Sequence, residues 1–363
     1  MKKKILIIGS TGTLGSQLLS FSKKNDIKIN CLVGYKNHKK LNKQKINYNI
    51  KYTFLISNKD QKENFLKYLS KTKIDLVYFL DYGAESLKFA KIFLENNKKS
   101  IIAIANKELI IAGGNILINL INKNSNILVP LDSEHFSLFN SNIKNDNIQK
   151  IYITASGGPF YFKKNINLNK VTFNQVIAHP KWKMGVNNSI DSSNFINKLL
   201  EIYELSYVYN IDLKKINFLV SKSAYIHSII IYNDGSIAIN CFKNDMLISL
   251  QKPIELLLKT PFINKTEEKY LNFQNFKLEK FHDKRFKIHK YMNFFLNICH
   301  SQQINLMLAN NLAQKKYISN ELKYNEIIEF ISNFLSKNTP KKLNSIDRIL
   351  GYIHNQKINN DLL

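Results

Sequence analysis

Three polar clusters interrupt apolar surroundings in the middle of this chain: VPLDSEHF (129–136), ITASGGPF (153–160) and HPKWKMGVNNSIDSSNFINKLLE (179–201). Polar groups crowded at the ends of apolar runs cost stability, and a chain keeps them where a site needs them. Their carboxylates suit a divalent cation; their hydroxyls, amide, ammonium and glycines suit a phosphate.

Asp132 and Glu134 follow the apolar run 127–131. On extended backbone, positions two apart point the same way, so both carboxylates would face one hard cation. The alternative is local: Asp132 or Ser133 caps a helix and Glu134 sits in its first turn. Glu201, one helical turn after Asn197, offers a third carboxylate. For the anion, Ser156-Gly157-Gly158 offers a hydroxyl and backbone donors. A helix expected over 192–209 puts Ser192 near its N-terminus, where the macrodipole favours negative charge. Asn197, Lys198 and His179 complete the set, although each serine taken singly reads as a cap or turn residue. In 179–185, Trp182 and Met184 sit between Pro180 and Gly185 and read as apolar cover on a mobile lid.

Gly9-Ser-Thr-Gly12-Thr-Leu-Gly15 follows an apolar strand and opens a helical pattern, a GxxGxxG variant of the dinucleotide turn. After the second strand, residues 35–40 read Tyr-Lys-Asn-His-Lys-Lys, with no acid for a ribose diol. The lysines point to a 2′-phosphate and hence to NADPH. Asn106-Lys107-Glu108 follows another strand, at the carboxyl edge where such sheets bind ligands.

These groups must be positioned by the elements around them. Apolar runs at 4–8, 27–33, 52–56, 74–80, 100–105 and 126–131 alternate with helical patterns such as 63–69 and 86–95. That alternation predicts an α/β fold: a Rossmann-like, doubly wound NADPH-binding domain over 1–127. A central α+β catalytic domain is expected over 128–255, with strands at 151–155 and 226–232 and a hairpin turn at Asn233-Asp234-Gly235. A linker over 256–285 leads to a small C-terminal helical domain over 286–363. Its helices are expected at 289–315, 324–336 and from Ser345.

Length supports this division: 363 residues exceed one simple core. The formal net charge of +26 rests almost wholly on scattered lysines, with only Arg285 and Arg348 besides. Companion enrichment in Asn, Ile, Tyr and Phe reads as A/T-rich codon bias, so no nucleic-acid partner is expected. No apolar run nears the roughly 18 residues of a membrane span. The opening MKKKILIIGS turns to Gly-Ser-Thr-Gly after Ile8, as a buried strand would and a signal peptide would not. Cys31, Cys241 and Cys299 are too dispersed for a disulfide framework or zinc cluster, which suggests a reducing, cytoplasmic setting.

GSTGTLG (9–15), ANKE (105–108), LDSEH (131–135), TASGGPF (154–160), HPKWKMG (179–185), SIDSSNFINKLLE (189–201) and IHSIIIYNDGS (226–236) occur together in one order and spacing. The chain thereby resembles the 1-deoxy-D-xylulose 5-phosphate reductoisomerases over roughly residues 4–335. The resemblance implies that Asp132, Glu134 and Glu201 hold Mg²⁺ or Mn²⁺, with Co²⁺ a further candidate. Lys107 and Ser133 would contact the substrate's backbone oxygens. Ser156, His179, Ser192, Asn197 and Lys198 would surround its phosphate and adjoining carbons, under Trp182. Thr11, Gly12, Thr13, Leu14, Lys36, Asn37, Asn106, Glu108 and Gly185 would line the NADPH site. Lys107, Asp132, Glu134, His179 and Glu201 would be the catalytic group. The implied chemistry is metal-assisted rearrangement of a sugar phosphate by retro-aldol and aldol steps, then reduction of the resulting aldehyde to 2-C-methyl-D-erythritol 4-phosphate. A homodimer is implied as well. Departures from the family pattern fall at Tyr35, Leu80-Asp81-Tyr82 and Val186-Asn187. They motivate an alternative: a degraded relative that binds sugar phosphate or a partner without turnover.

Overall fold

A computed structural model describes residues 3–141, 143, 145–180, 185–263 and 276–359. The chain begins β1 (Ile5–Ile8), α1 (Thr13–Lys24), β2 (Cys31–Gly34), α2 (His38–Asn47), β3 (Tyr52–Leu55) and α3 (Lys59–Lys71). It continues β4 (Leu76–Phe79), α4 (Ser86–Asn96), β5 (Ile101–Ile104), α5 (Lys107–Lys123), β6 (Ile127–Pro130) and α6 (Ser133–Phe136). Next come β7 (Ile148–Ala155), α7 (Phe173–Ile177), α8 (Val186–Asn194), α9 (Ile196–Tyr209), β8 (Ile216–Val220), β9 (Ile226–Tyr232) and β10 (Ile237–Cys241). The rest is α10 (Leu247–Leu258), β11 (Glu279–Lys280), α11 (Ile288–Leu296), α12 (His300–Ile318), α13 (Ile327–Lys337) and α14 (Ile346–Asn359). Two compact units result: Met1–Phe139 with Asp245–Lys265, and Asn140–Asn244 with Thr266–Leu363.

The first unit is built on a six-stranded parallel sheet in the order β3-β2-β1-β4-β5-β6. ILII, CLVG, LVYF and IIAI in the four inner strands are buried throughout, as continuous apolar strands covered on both faces must be. The two edge strands open on exposed residues, Tyr52 and Ile127. Strand order reverses between β1 and β4, which puts the ligand crevice at their carboxyl ends. Residues 245–263 return to cover this sheet. Tyr78 Oη donates to the Leu250 carbonyl at 2.7 Å, and the Phe262 ring meets Phe21 edge-on with centroids 4.8 Å apart.

The second unit holds a mixed sheet in the order β10-β9-β7-β8-β11, with β7 parallel to β8 and antiparallel to β9. The expected hairpin joins β9 to β10. Gly235 takes a φ of +86° in its turn.

Two expected helices are each divided. The helix predicted over 192–209 is broken at Phe195, which adopts φ 68° and ψ 7° and separates α8 from α9. Its ring, 1% exposed, packs against Phe281 (4.5 Å), Phe286 (4.9 Å) and Phe218 (5.8 Å). Burying that ring among aromatics offsets the roughly 1–2 kcal/mol cost of a left-handed non-glycine residue. The helix predicted over 289–315 stops at Leu296 and restarts at His300. There the Asn297 amide donates back to the Asn293 carbonyl at 2.7 Å, a side-chain bond that competes with helix continuation. Among the described residues no helix is long and apolar enough to cross a membrane.

Candidate active site

In the first unit, β1 runs into a glycine turn seated on its neighbours. Gly9 and Ser10 N–H groups both donate to the Val33 carbonyl at the end of β2, at 2.9 and 3.1 Å. Gly9 has φ +86°, and a Cβ there would lie 2.5 Å from Asp81 N and Leu80 C. A Cβ on Gly15 would lie 2.5 Å from the Ser10 carbonyl oxygen. Only bare backbone fits, which makes the turn a close-approach cradle. Thr11 and Gly12 complete it, and α1 begins at Thr13-Leu14 with no acid in its first turn, leaving that helix end open to an anion. Lys36 and Asn37 are exposed after β2. Asn37 caps α2, accepting from Lys40 N at 2.9 Å.

Asn106 caps α5, accepting from Leu109 N at 2.9 Å, while its amide donates to Asp81 Oδ1 (3.3 Å) and the Gly83 carbonyl (3.1 Å). Asp81 also accepts from the Ser86 hydroxyl. Burial is the largest influence on its carboxyl and pushes it up to about 6. Burial likewise raises Glu108. In the sequence Asp81 stands out only as part of a departure from the family pattern. Its placement at the carboxyl end of β4, against the glycine turn, could have been suspected from an acid closing a buried apolar strand.

Lys107 opens α5, and its ammonium pairs with the Asp132 carboxylate. The backbone after β6 does not stay extended. Asp132 caps α6, with Oδ1 accepting from Glu134 N at 3.2 Å, and this bond turns the chain into a helix. The turn nonetheless leaves a carboxylate oxygen of each residue within 4.8 Å of the other. Capping and paired carboxylates therefore coexist. Ser133, buried, donates its hydroxyl to Glu134.

In the second unit, Gly157 and Gly158 after β7 take φ +82° and +57°. A Cβ on Gly158 would lie 2.8 Å from the Ser192 carbonyl oxygen, so this turn packs directly on the end of α8. Ser156, Gly157, Ser192, Phe195, Asn197 and Lys198 line one pocket. His179 Nε2 stands 3.0 Å from Ser156 Oγ. Burial, and then the Lys198 charge, depress the imidazole to about 4, so His179 is neutral at neutral pH. Glu201 is 1% exposed and accepts from the Asn197 amide and the Lys198 ammonium. Gly185 caps α8 from an exposed position. Trp182, with 181–184, lies outside the described residues.

The macrodipole argument for Ser192 is corrected by this geometry. Because Phe195 breaks the helix, Ser192 sits in the last turn of α8, the end that disfavours an anion. The helix start beside it belongs to α9, whose first turn carries Asn197 and Lys198.

Sequence reading missed the support behind Ser192. Asp191 is 4% exposed, and both its oxygens accept from Asn310 Nδ2 at 3.0 Å. Gln314, one turn further along α12, also donates to it. Tyr324 Oη donates to the Ser193 carbonyl at 2.8 Å. The only trace in the sequence is the i,i+4 spacing of two amides on one helix face.

Family models match along the chain: 1-deoxy-D-xylulose 5-phosphate reductoisomerase at residues 5–90, its C-terminal domain at 128–209, and the DXP reductoisomerase C-terminal domain at 245–357. A reductoisomerase of Pelagibacter ubique is 34% identical, covering 93% of this chain and 92% of its own length. One of Malacoplasma penetrans is 31% identical, covering 98% and 94%. Among solved structures, the reductoisomerase from Zymomonas mobilis in complex with NADPH matches with a TM-score of 0.81 at 23% identity, over 99% of this chain and 98% of its own. A DOX-P reductoisomerase in complex with NADPH, fosmidomycin and magnesium gives 0.85 at 21% identity, over the same shares. These two show the shared fold, while the sequence relatives extend over nearly the whole length. On that ground the chain belongs to the 1-deoxy-D-xylulose 5-phosphate reductoisomerase family.

Proposed function

We propose that this chain carries out its family's reaction through the residues described above. The reaction is NADPH- and divalent-metal-dependent rearrangement and reduction of 1-deoxy-D-xylulose 5-phosphate to 2-C-methyl-D-erythritol 4-phosphate, in the non-mevalonate route to isoprenoid precursors. The observation that carries the reading is the single pocket on which Ser156, Ser192, Asn197 and Lys198 converge, with His179 beside Ser156.

A phosphate in that pocket receives two hydroxyls, an amide and an ammonium, with Gly157 in the wall. Neutral His179 can share a proton with the Ser156 hydroxyl or the phosphate, and a bound dianion raises its proton affinity. Anchoring the substrate by this remote group orients its reacting carbons. Lys107 and Ser133 donate hydrogen bonds to the substrate's backbone oxygens.

Asp132, Glu134 and Glu201 are assigned to the cation. All three offer oxygen donors alone, the chemistry of a hard ion such as Mg²⁺ or Mn²⁺, with Co²⁺ also accommodated. Each of Asp132 and Glu201 has an ammonium partner, Lys107 or Lys198, that orients its carboxylate. The glycine cradle with Thr11, Gly12, Thr13 and Leu14 suits the NADPH pyrophosphate, because side chains are absent where the backbone must approach. Lys36 and Asn37 face its 2′-phosphate side; Asn106, Glu108 and Gly185 line the remainder. When bound, the cation supplies Lewis acidity to the ketone and neighbouring hydroxyl, and NADPH supplies hydride. Trp182 is assigned to the substrate side on the family pattern.

The test is loss of reduced-nicotinamide absorbance in a mixture of protein, NADPH, Mg²⁺ and deoxyxylulose phosphate. Turnover requiring both substrate and metal, and abolished by a chelator, is expected. Folded protein that binds substrate without consuming NADPH would instead support the binding-only reading.

A homodimer in a reducing cytoplasm is the assigned state. The three cysteines are free. Edge strand β10 exposes Ile237 (61%) and Ile239 (47%), two apart and so on one face, a surface that an edge strand ordinarily covers. Sedimentation is expected to give twice the 42.3 kDa chain mass, and the pair Ile237→Lys, Ile239→Lys to give the monomer. A monomeric native protein would rule the dimer out.

A further inference from the structure

Tyr35 places an exposed aromatic ring at the end of β2. It directly follows β2, and its side chain is 56% exposed, with the Lys36 ammonium 5.3 Å from the ring centroid. Its backbone is fixed. The Tyr35 carbonyl accepts from Ser57 N at 3.2 Å, and the preceding Gly34 carbonyl accepts from Ile56 N at 2.9 Å. The root of the ring is therefore held by the residues just after β3 while the side chain stays more than half exposed.

The position is also tied to the glycine turn. Val33, two residues earlier, accepts the Gly9 and Ser10 N–H groups, and a Cβ on Gly34 would lie 3.2 Å from Thr11 Cγ2. In a doubly wound sheet the pyrophosphate sits on the turn after β1, and the adenosine half extends over the end of β2. The stretch after Tyr35 carries Lys36, Lys39 and Lys40, and α2 has no acid in its first turn. A flat π surface flanked by ammonium groups matches a purine carrying a nearby phosphate.

We infer that Tyr35 is the adenine platform of the cofactor site, its ring stacking on the base of NADPH while Lys36 meets the 2′-phosphate. The inference rests on the NADPH assignment and deepens it. The departure at Tyr35 is then a gained contact: a tyrosine held at its backbone adds area with only two side-chain torsions to order.

Calorimetric titration of the full chain with NADPH and with adenosine 2′,5′-bisphosphate tests this. Tyr35→Ala is expected to weaken both ligands about 10-fold, the loss of one base–aromatic stack. Tyr35→Phe is expected to bind both as the native protein does. In turnover, Tyr35→Ala raises KM for NADPH and leaves kcat at saturating NADPH unchanged. Native affinity in Tyr35→Ala overturns the platform, and so does equal loss in the Phe and Ala variants. A native chain that binds no NADPH removes the cofactor assignment itself, which is a different result from either.

Discussion

Glu201→Gln is expected to lower turnover by about 10³-fold or more while NADPH binding persists, because on the proposed assignment it removes one of three anionic oxygen ligands at almost constant shape. Glu201 is nearly fully buried and receives both the Asn197 amide and the Lys198 ammonium. Loss of its charge also leaves Lys198 without that counter-charge, and breaking a buried pair costs roughly 3–5 kcal/mol. A fall in activity could thus come from unfolding alone. Thermal melting and Mn²⁺ titration of the same preparation separate the two. A folded variant with weakened Mn²⁺ affinity and lost turnover supports the ligand role, and native turnover in Glu201→Gln would sink it. Glu201→Asp, which keeps the charge on a shorter arm, is expected to retain more activity than Gln.

Gly9→Ala has the second largest expected effect. The residue sits at φ +86°, and the new methyl would meet Asp81 N and Leu80 C at 2.5 Å. Both obstacles are backbone atoms of the neighbouring strand end, which cannot turn away as a flexible side chain would. The turn must shift, at an expected cost of roughly 2–4 kcal/mol in stability. NADPH affinity is expected to fall by about 100-fold, since a shifted turn would displace the helix start proposed to hold the pyrophosphate. Gly12→Ala is the milder companion, because its Cβ would stand 3.3 Å from the Gly9 carbonyl oxygen at ordinary φ. Fluorescence titration with NADPH, paired with a melting curve, reads both terms. Native NADPH affinity in a folded Gly9→Ala protein would mean that the cofactor does not use this turn.

The six-stranded sheet was legible because its signals are local. ILII, LVYF and IIAI can be buried on both faces only within a covered parallel sheet, and the glycine turn follows the first of them. The polar clusters were legible for the same reason: their residues lie within a few positions of each other. Where local signals conflicted, the sequence left the outcome open. At Asp132 it offered extended strand or helix cap, and the cap bond to Glu134 N decided. At 192–209 the apolar spacing continues smoothly through Phe195, so nothing local marks the break that the ring's burial imposes.

By itself, then, the sequence determined the family, through motifs shared in order and spacing, and the α/β sheet and the kinds of side chain available for chemistry, through patterns over short spans. The tertiary structure decided which of them meet. Residues 245–263 cover the first sheet, with Tyr78 and Leu250 joined across 172 positions. Asp191 is held by Asn310 and Gln314 from 119 and 123 positions away, which steadies the last turn of α8 where Ser192 lies. The end of β4 makes Asp81 a half-buried acid beside the glycine turn, and the end of β2 leaves Tyr35 an exposed ring. Pairings at such separations come from packing of whole elements, whose free energy is spread over many contacts and leaves no periodicity in the chain to read.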